Sequence, residues 1–306
     1  MRSLALGAAL ALLLSACSGS AATRSASRPL RSSAGTAAST GTAASFGMAG
    51  TTAGGSVPRF AHVIVVVEEN HSYADVIGNV DAPYINGLAR SGALLTRSYA
   101  IRHPSEPNYL ALFSGSTHGI TDDSCPHEFG SRNIGSQLIA HRMGFTGYAE
   151  SLPSTGYLGC EAGPYARKHA PWTDFSNLPA RFGKPMTSFP TDYRQLSRVA
   201  FVVPNLNHDM HDGTIAQGDT WLHRRLAGYV TWARTHNSLL VLTWDEDDTS
   251  SGNHVATVFA GAHVRTGRYA EHVDHYTVLR TLEAAYGLPA LGVAADRSPI
   301  TNTWVP

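Results

Sequence analysis

Lysine is almost missing from this chain: of 23 basic residues only Lys168 and Lys184 are lysines, and the rest are arginine. Net charge is missing as well. Lys+Arg and Asp+Glu both number 23, so there is no basic excess with which to coat a nucleic acid, and none is expected as a partner. No apolar run reaches the ~20 residues that cross a bilayer. Cysteine is scarce, with 3 in 306 residues, and neither CxxC nor a Cys/His zinc spacing occurs, which excludes a structural zinc finger. No acidic residue precedes Glu68. Hydrophobic residues nevertheless make up 43%, which excludes wholesale disorder.

What is present begins with an address. Met1-Arg2 is followed by an apolar stretch, Leu4 to Leu14, of the length of a secretory signal. It ends in Leu14-Ser15-Ala16-Cys17, which resembles a bacterial lipobox. The resemblance implies a signal peptide over 1–16, cleavage before Cys17 and a lipid on its sulfur; the alternative is a plain signal peptide cut after a small residue. The expected location is therefore outside the cytoplasm, as a cell-surface lipoprotein held to the membrane by its lipid anchor. Residues 17–57 are mostly Ser, Ala, Gly and Thr. They hold too little apolar surface to offset ordering entropy and read as a flexible tether. In an exported domain, Cys125 and Cys160 form one disulfide closing a loop of about 35 residues, or remain two buried thiols.

The body, 58–306, alternates apolar strands with helices. Phe60 to Val67 reads FAHVIVVV, a β-branched run without polar alternation, which suits a central strand covered on both faces. Further strands are expected at 93–100, 145–149, 199–203, 239–243 and 255–260. Helices are expected at 83–90, 105–114, 221–234 and 275–286, the last stopped by Gly287 and Pro289. This order implies an α/β fold, an α/β/α sandwich on a mostly parallel sheet. The turn-rich stretch 122–190 reads as a lid or insertion.

In such sheets ligands bind beyond the carboxyl ends of the strands. The residues there are Glu68-Glu69-Asn70-His71, His103-Pro104-Ser105-Glu106-Pro107-Asn108, the run Asn205 to Asp212, and Trp244-Asp245-Glu246-Asp247-Asp248. Together they bring hard-cation ligands and a hydroxyl nucleophile to one rim, the ingredients of metal-assisted phosphoryl transfer. Ser105 stands where a helix begins and reads either as an ordinary N-cap or as a nucleophile facing a phosphate at the helix start.

The strings HVIVVVEENHS, APYINGLA, HPSEPNYLALFSG, YARKHAPW, PNLNHDMHDG, TWDEDD and HYTVLRTLEAAYGLP, in this order, resemble the bacterial phosphoesterase family. That family holds acid phosphatases and phospholipases C and belongs to the alkaline-phosphatase-like superfamily. The resemblance implies a divalent metal on Glu69, Asn70, Asp245 and Glu246, and Ser105 as nucleophile through a phosphoserine intermediate. It implies catalytic or pocket roles for His169, His208 and His211, and substrate contacts from His103, Asn108, Asp209 and His275. His71 departs from the pattern, since many relatives carry arginine there, and His254 falls at a variable position. The expected activity is an acid phosphatase acting on phosphomonoesters, phosphatidylinositol 3-phosphate among them. The alternatives are a phospholipase C-type phosphodiesterase and a non-catalytic surface module that binds phosphate or metal. Oxygen ligands suit calcium, magnesium or manganese, and histidine draws towards zinc or iron.

Overall fold

A computed structural model describes residues 56–305. The expectations for the signal peptide, for Cys17 and for nearly all of the tether lie outside the described residues. The chain runs β1 (His62–Glu68), α1 (Tyr73–Val76), α2 (Pro83–Ser91), β2 (Ala93–Tyr99), α3 (Glu106–Ser114), α4 (Ile134–Ala140) and β3 (Phe145–Ala149). It continues through β4 (Glu161–Ala162), β5 (Tyr165–Ala166), β6 (Gly183–Pro185), β7 (Val199–Val203), α5 (Ile215–Ala233), β8 (Ser238–Trp244), β9 (His254–Gly261), β10 (Gly267–Asp274) and α6 (His275–Tyr286).

β1 shows why the fold has three layers. Successive side chains of a strand point to opposite faces. Val63, Val65 and Val67 join one apolar core together with residues of α3 and α6, such as Tyr109 and Leu279. Ile64 and Val66 join a second core with Ile85 of α2 and Leu226 of α5. The unbroken β-branched run thus feeds two cores at once. The sheet order is β10-β2-β9-β8-β1-β7-β3-β6. Every neighbour pair is parallel except those made by β9, which runs antiparallel to β2 and β8. The expected α/β/α sandwich on a mostly parallel sheet is what forms.

The departures have local causes. α5 starts at Ile215, six residues before the expected start at Trp221, because Thr214 caps it in a reciprocal pair with Gln217. β10 was not expected at all. In its sequence GRYAEHVD the exposed Arg268, Ala270 and His272 alternate with half-buried residues before the buried Val273 and Asp274, the pattern of an edge strand and not of a buried run. The segment 122–190, expected as a lid or insertion, supplies β3 and β6 to the central sheet, so part of it is core and not cover. The remainder is α4, short 3-10 turns and the β4–β5 hairpin, tied by a disulfide between Cys125 and Cys160. Gly147 in β3 is required by this segment, since a Cβ there would collide with the Trp172 ring.

Candidate active site

Parallel register builds the site. Glu68 at the end of β1 stands opposite Trp244 at the end of β8, so the following residues, Glu69 and Asp245, emerge side by side at the carboxyl edge. Backbone bonds stitch these ends together. The Asp245 amide donates to the Glu68 carbonyl at 3.0 Å, and the Glu69 amide donates to the Asp209 carbonyl at 2.8 Å. The Asn70 amide donates to Asp245 Oδ1 at 3.2 Å.

Ser105 comes to the same place from the start of α3. Its own backbone is helical and its side chain makes no capping bond. The amide of Glu106 is capped instead by Asp123 Oδ1 at 2.9 Å. The N-cap reading of Ser105 is therefore set aside, and its hydroxyl is left for other work. The hydroxyl lies 3.1 Å from Glu69 Oε2 and 3.2 Å from Glu246 Oε1, in a position where the residue is 2% exposed. The side-chain amide of Asn108, expected as a substrate contact, is bonded to the Ile101 and Arg102 amides and to the Arg102 and Pro104 carbonyls. It holds the turn that delivers Ser105.

Around the hydroxyl the charges are dense and dry. Glu69, Asp209 and Asp245 are fully buried. Burial raises the Glu69 carboxyl to about 7 against the pull of His169, with Asp209 adding to the rise. Burial likewise raises Asp209 to about 7. Asp245 is raised by burial and then by Glu69, and Glu246 by burial against the pull of His103. His103 bridges Glu246 (2.6 Å from Nδ1) and Asp247 (3.1 Å from Nε2), so this histidine, expected to bind substrate, faces the acidic pair. His169, expected to donate a proton, has Nε2 3.1 Å from Glu69 and Nδ1 3.2 Å from Asp209. Burial lowers it to about 4, against the pull of Glu69.

This donor set fits a divalent cation. One oxygen each from Glu69 and Asp209 and one ring nitrogen of His169 lie within 4.8 Å of one another. Asp209 Oδ2, Asp245 Oδ2 and His169 Nε2 are buried without a hydrogen-bond partner, although His169 sits at ion-pair distance from Glu69 and Asp209. Uncompensated buried carboxylates are costly, and a bound cation supplies the missing charge. Asp209, expected as a substrate contact, belongs by geometry with Glu69 and His169.

The remaining candidates stand further out. His211 is part-exposed, with its ring 6.0 Å from that of His169 and its amide bonded to Asp209 Oδ1. His208 turns away, pairing with Glu150 at 2.8 Å and lying over Trp221. His275 is buried and donates from Nε2 to the carbonyl of Trp244, the residue before Asp245, while its Nδ1 has no hydrogen-bond partner. His254 stacks between Tyr73 and Tyr99, and His71 lines a separate cavity with Asp248.

Sequence reasoning missed Tyr109, Asp123 and Lys168. Tyr109 donates its hydroxyl to Glu69 Oε1 and stacks on the His169 ring. It follows Ser105 by four residues on one helix, so it shares Ser105's face, a signal that was available. Asp123 and Lys168 pair at 2.8 Å across 45 residues, for which no local signal exists.

The three-layer sheet and its acidic edge define a class. A protein of the alkaline phosphatase superfamily from Vibrio parahaemolyticus shares the fold at TM-score 0.59 and 11% identity, covering 83% of this chain and 72% of that one. A phosphonate monoester hydrolase from Silicibacter pomeroyi shares it at TM-score 0.55 and 10% identity, over 80% of this chain and 77% of that one. The phosphoesterase family model matches residues 79–289, and the chain belongs to that family, whose members are phosphoric ester hydrolases. It is 54% identical over 255 residues to a phosphatidylinositol-3-phosphatase of Mycobacterium tuberculosis, covering 82% of this chain and 85% of the relative. It is 31% identical to an acid phosphatase of Aspergillus fumigatus over 73% of this chain, and spans 54% of that relative's length.

Proposed function

We propose that this chain is an exported acid phosphatase that hydrolyses phosphomonoesters, with phosphatidylinositol 3-phosphate as its membrane substrate. The observation that carries the reading is the Ser105 hydroxyl held between the carboxylates of Glu69 and Glu246 at 3.1 and 3.2 Å. The substrate assignment is supported by the relative that is 54% identical and named for that activity. Export and lipidation of Cys17 are supported by the lipobox-like Leu14-Ser15-Ala16-Cys17.

In this reading Glu69, Asn70, Asp245 and Glu246, with Asp209 and His169 beside them, hold a divalent cation. When bound, that ion supplies Lewis-acid charge against the phosphate oxygens and lowers the pKa of a hydroxyl. The chain's own groups do the rest. Ser105 Oγ passes its proton to a neighbouring carboxylate and forms a bond to phosphorus, while the bond from phosphorus to the alcohol oxygen breaks. His211, part-exposed at the rim, gives its proton to the departing alkoxide. Water then gives a proton to His211 and attacks the phosphoserine, the bond from phosphorus to Ser105 Oγ breaks, inorganic phosphate leaves, and Ser105 takes its proton back from the carboxylate. Tyr109 and His103 hold Glu69 and Glu246 in place by donating to them.

The test compares a chromogenic phosphomonoester, its diester analogue and vesicles carrying phosphatidylinositol 3-phosphate. Ser105→Ala should lose at least ~10³-fold in kcat on the monoester while unfolding at the same temperature. Acid quenching with labelled substrate should trap label on wild-type protein alone. Undiminished turnover by Ser105→Ala sinks the nucleophile. Faster turnover of the diester than of the monoester moves the chain to the phospholipase C type.

A further inference from the structure

Beside the active centre lies a cavity of about 620 Å³ that the reaction does not use. Its walls include Glu150, His208, Gln217, Trp221, Arg224 and Arg225. Glu150 follows β3, which is separated from β1 by β7 alone. At about 4.8 Å per strand the cavity edge begins roughly 10 Å from Glu69, on the same carboxyl rim.

The charge in this cavity is unbalanced. Arg224 and Arg225 are both exposed, and among the described residues neither forms a salt bridge or a side-chain hydrogen bond. The acidic wall residue, Glu150, is already paired with His208 at 2.8 Å. The nearby Asp219 is turned inward and accepts the Tyr84 and Ile85 amides, so it does not answer the arginines. The cavity also takes in Gln217 in the first turn of α5, a 19-residue helix whose macrodipole presents its positive end there. A separate observation points the same way. Trp221 is 4% exposed, lines the cavity, and its indole N–H has no hydrogen-bond partner. Two unpaired arginines in the middle of α5, with an unused donor one turn before them, are complementary to a phosphate-bearing anion.

We infer that this cavity binds the headgroup of a second, unhydrolysed anionic phospholipid and thereby seats the active centre on an anionic membrane. The inference rests on the reading that the substrate is a membrane phosphoinositide. Arginine suits the role, since its positive charge persists at every working pH and is drawn to an anionic surface. Few large apolar side chains are exposed among the described residues, with Val80 and Leu158 far apart in sequence, so the contact is electrostatic and not an insertion.

The experiment uses the full chain carrying Cys17→Ser, so that no acyl chain contributes to binding. Sedimentation is measured with phosphatidylcholine vesicles, with and without phosphatidylserine. Wild-type sequence at these arginines should prefer the anionic vesicles, with the preference fading as salt rises. The double variant Arg224→Gln/Arg225→Gln should lose about 30-fold in partition to anionic vesicles, and Arg224→Lys/Arg225→Lys should recover most of it. Turnover of a soluble chromogenic monoester should stay within twofold in every variant, which also shows that the fold is intact. Equal sedimentation by the double variant and the parent, or no preference of the parent for anionic vesicles, overturns the inference. Inactivity of the parent on phosphatidylinositol 3-phosphate with normal vesicle binding would instead remove the substrate reading and leave the docking site standing.

Discussion

Asp123 caps the helix that Ser105 begins. One of its oxygens accepts the Glu106 amide at 2.9 Å, and the other accepts the Lys168 ammonium at 2.8 Å, next to His169. One carboxylate from the disulfide-tied segment therefore does the capping that a serine at that position ordinarily does, and it fixes both sides of the acidic cluster.

Asp123→Ala should lower the unfolding free energy by ~1 kcal/mol, the usual worth of an N-cap. It should lower kcat more than tenfold, because Ser105 becomes free to swing back onto the helix end. Asp123→Asn, which can still cap, should keep the stability of the parent. Thermal unfolding and monoester turnover measured on both variants decide the point, and an unchanged kcat in the alanine variant counts against it.

Cys125 and Cys160 close a loop of sequence separation 35. In the chain-entropy model such a bond stabilises by about 4 kcal/mol, so Cys125→Ser/Cys160→Ser should unfold at a clearly lower temperature. Since Asp123 lies two residues from Cys125, turnover should fall well below the unfolding transition. A double variant that loses stability but keeps full activity would separate the bond from the site.

Chelation should abolish activity and lower the melting temperature, and both should return with divalent metal, since ligand bound only to the folded state stabilises it. Asp209→Asn removes one donor of the Glu69, His169, Asp209 group and should weaken the metal-dependent rise in melting temperature. Turnover that survives exhaustive chelation would leave the buried carboxylates without a cation to answer them.

Glu283 in α6 supplies a pH effect far from this cluster. It is fully buried, accepts the Leu291 amide at 2.8 Å, and burial raises its carboxyl from 4.5 to about 7. The folded state therefore holds a proton that the unfolded chain releases. Its contribution to stability is complete below about pH 4.5 and is lost as pH rises through about 7. Denaturant titrations across this window should show stability falling with rising pH, and Glu283→Gln should flatten that slope. An identical slope in the variant would show that another group sets it.

Much of the frame was legible because it is written in short segments. The run HVIVVV specifies a two-faced strand by composition alone, and Val199–Val203 and His275–Tyr286 form where apolar pattern and helix stop signals put them. Glu69, Ser105, Asp245 and Glu246 could be singled out because strand ends and helix starts are local features. The fates of Asn108 and His103 could not, because each depends on partners that the fold brings near. Nor could β10, whose alternating polar sequence looks like surface until β2 pairs with it.

By itself the sequence determined the layers, the edge of the sheet where chemistry gathers, and the side chains available there, since periodicity and turn residues act within a few positions. The tertiary structure alone decided how those side chains are used. It gave the cap to Asp123, locked Asn108 into a turn, buried His169 between two carboxylates, and turned His208 towards Glu150. Each of these depends on contacts between residues distant in the chain or on burial, and burial is what sets the charge a group can carry.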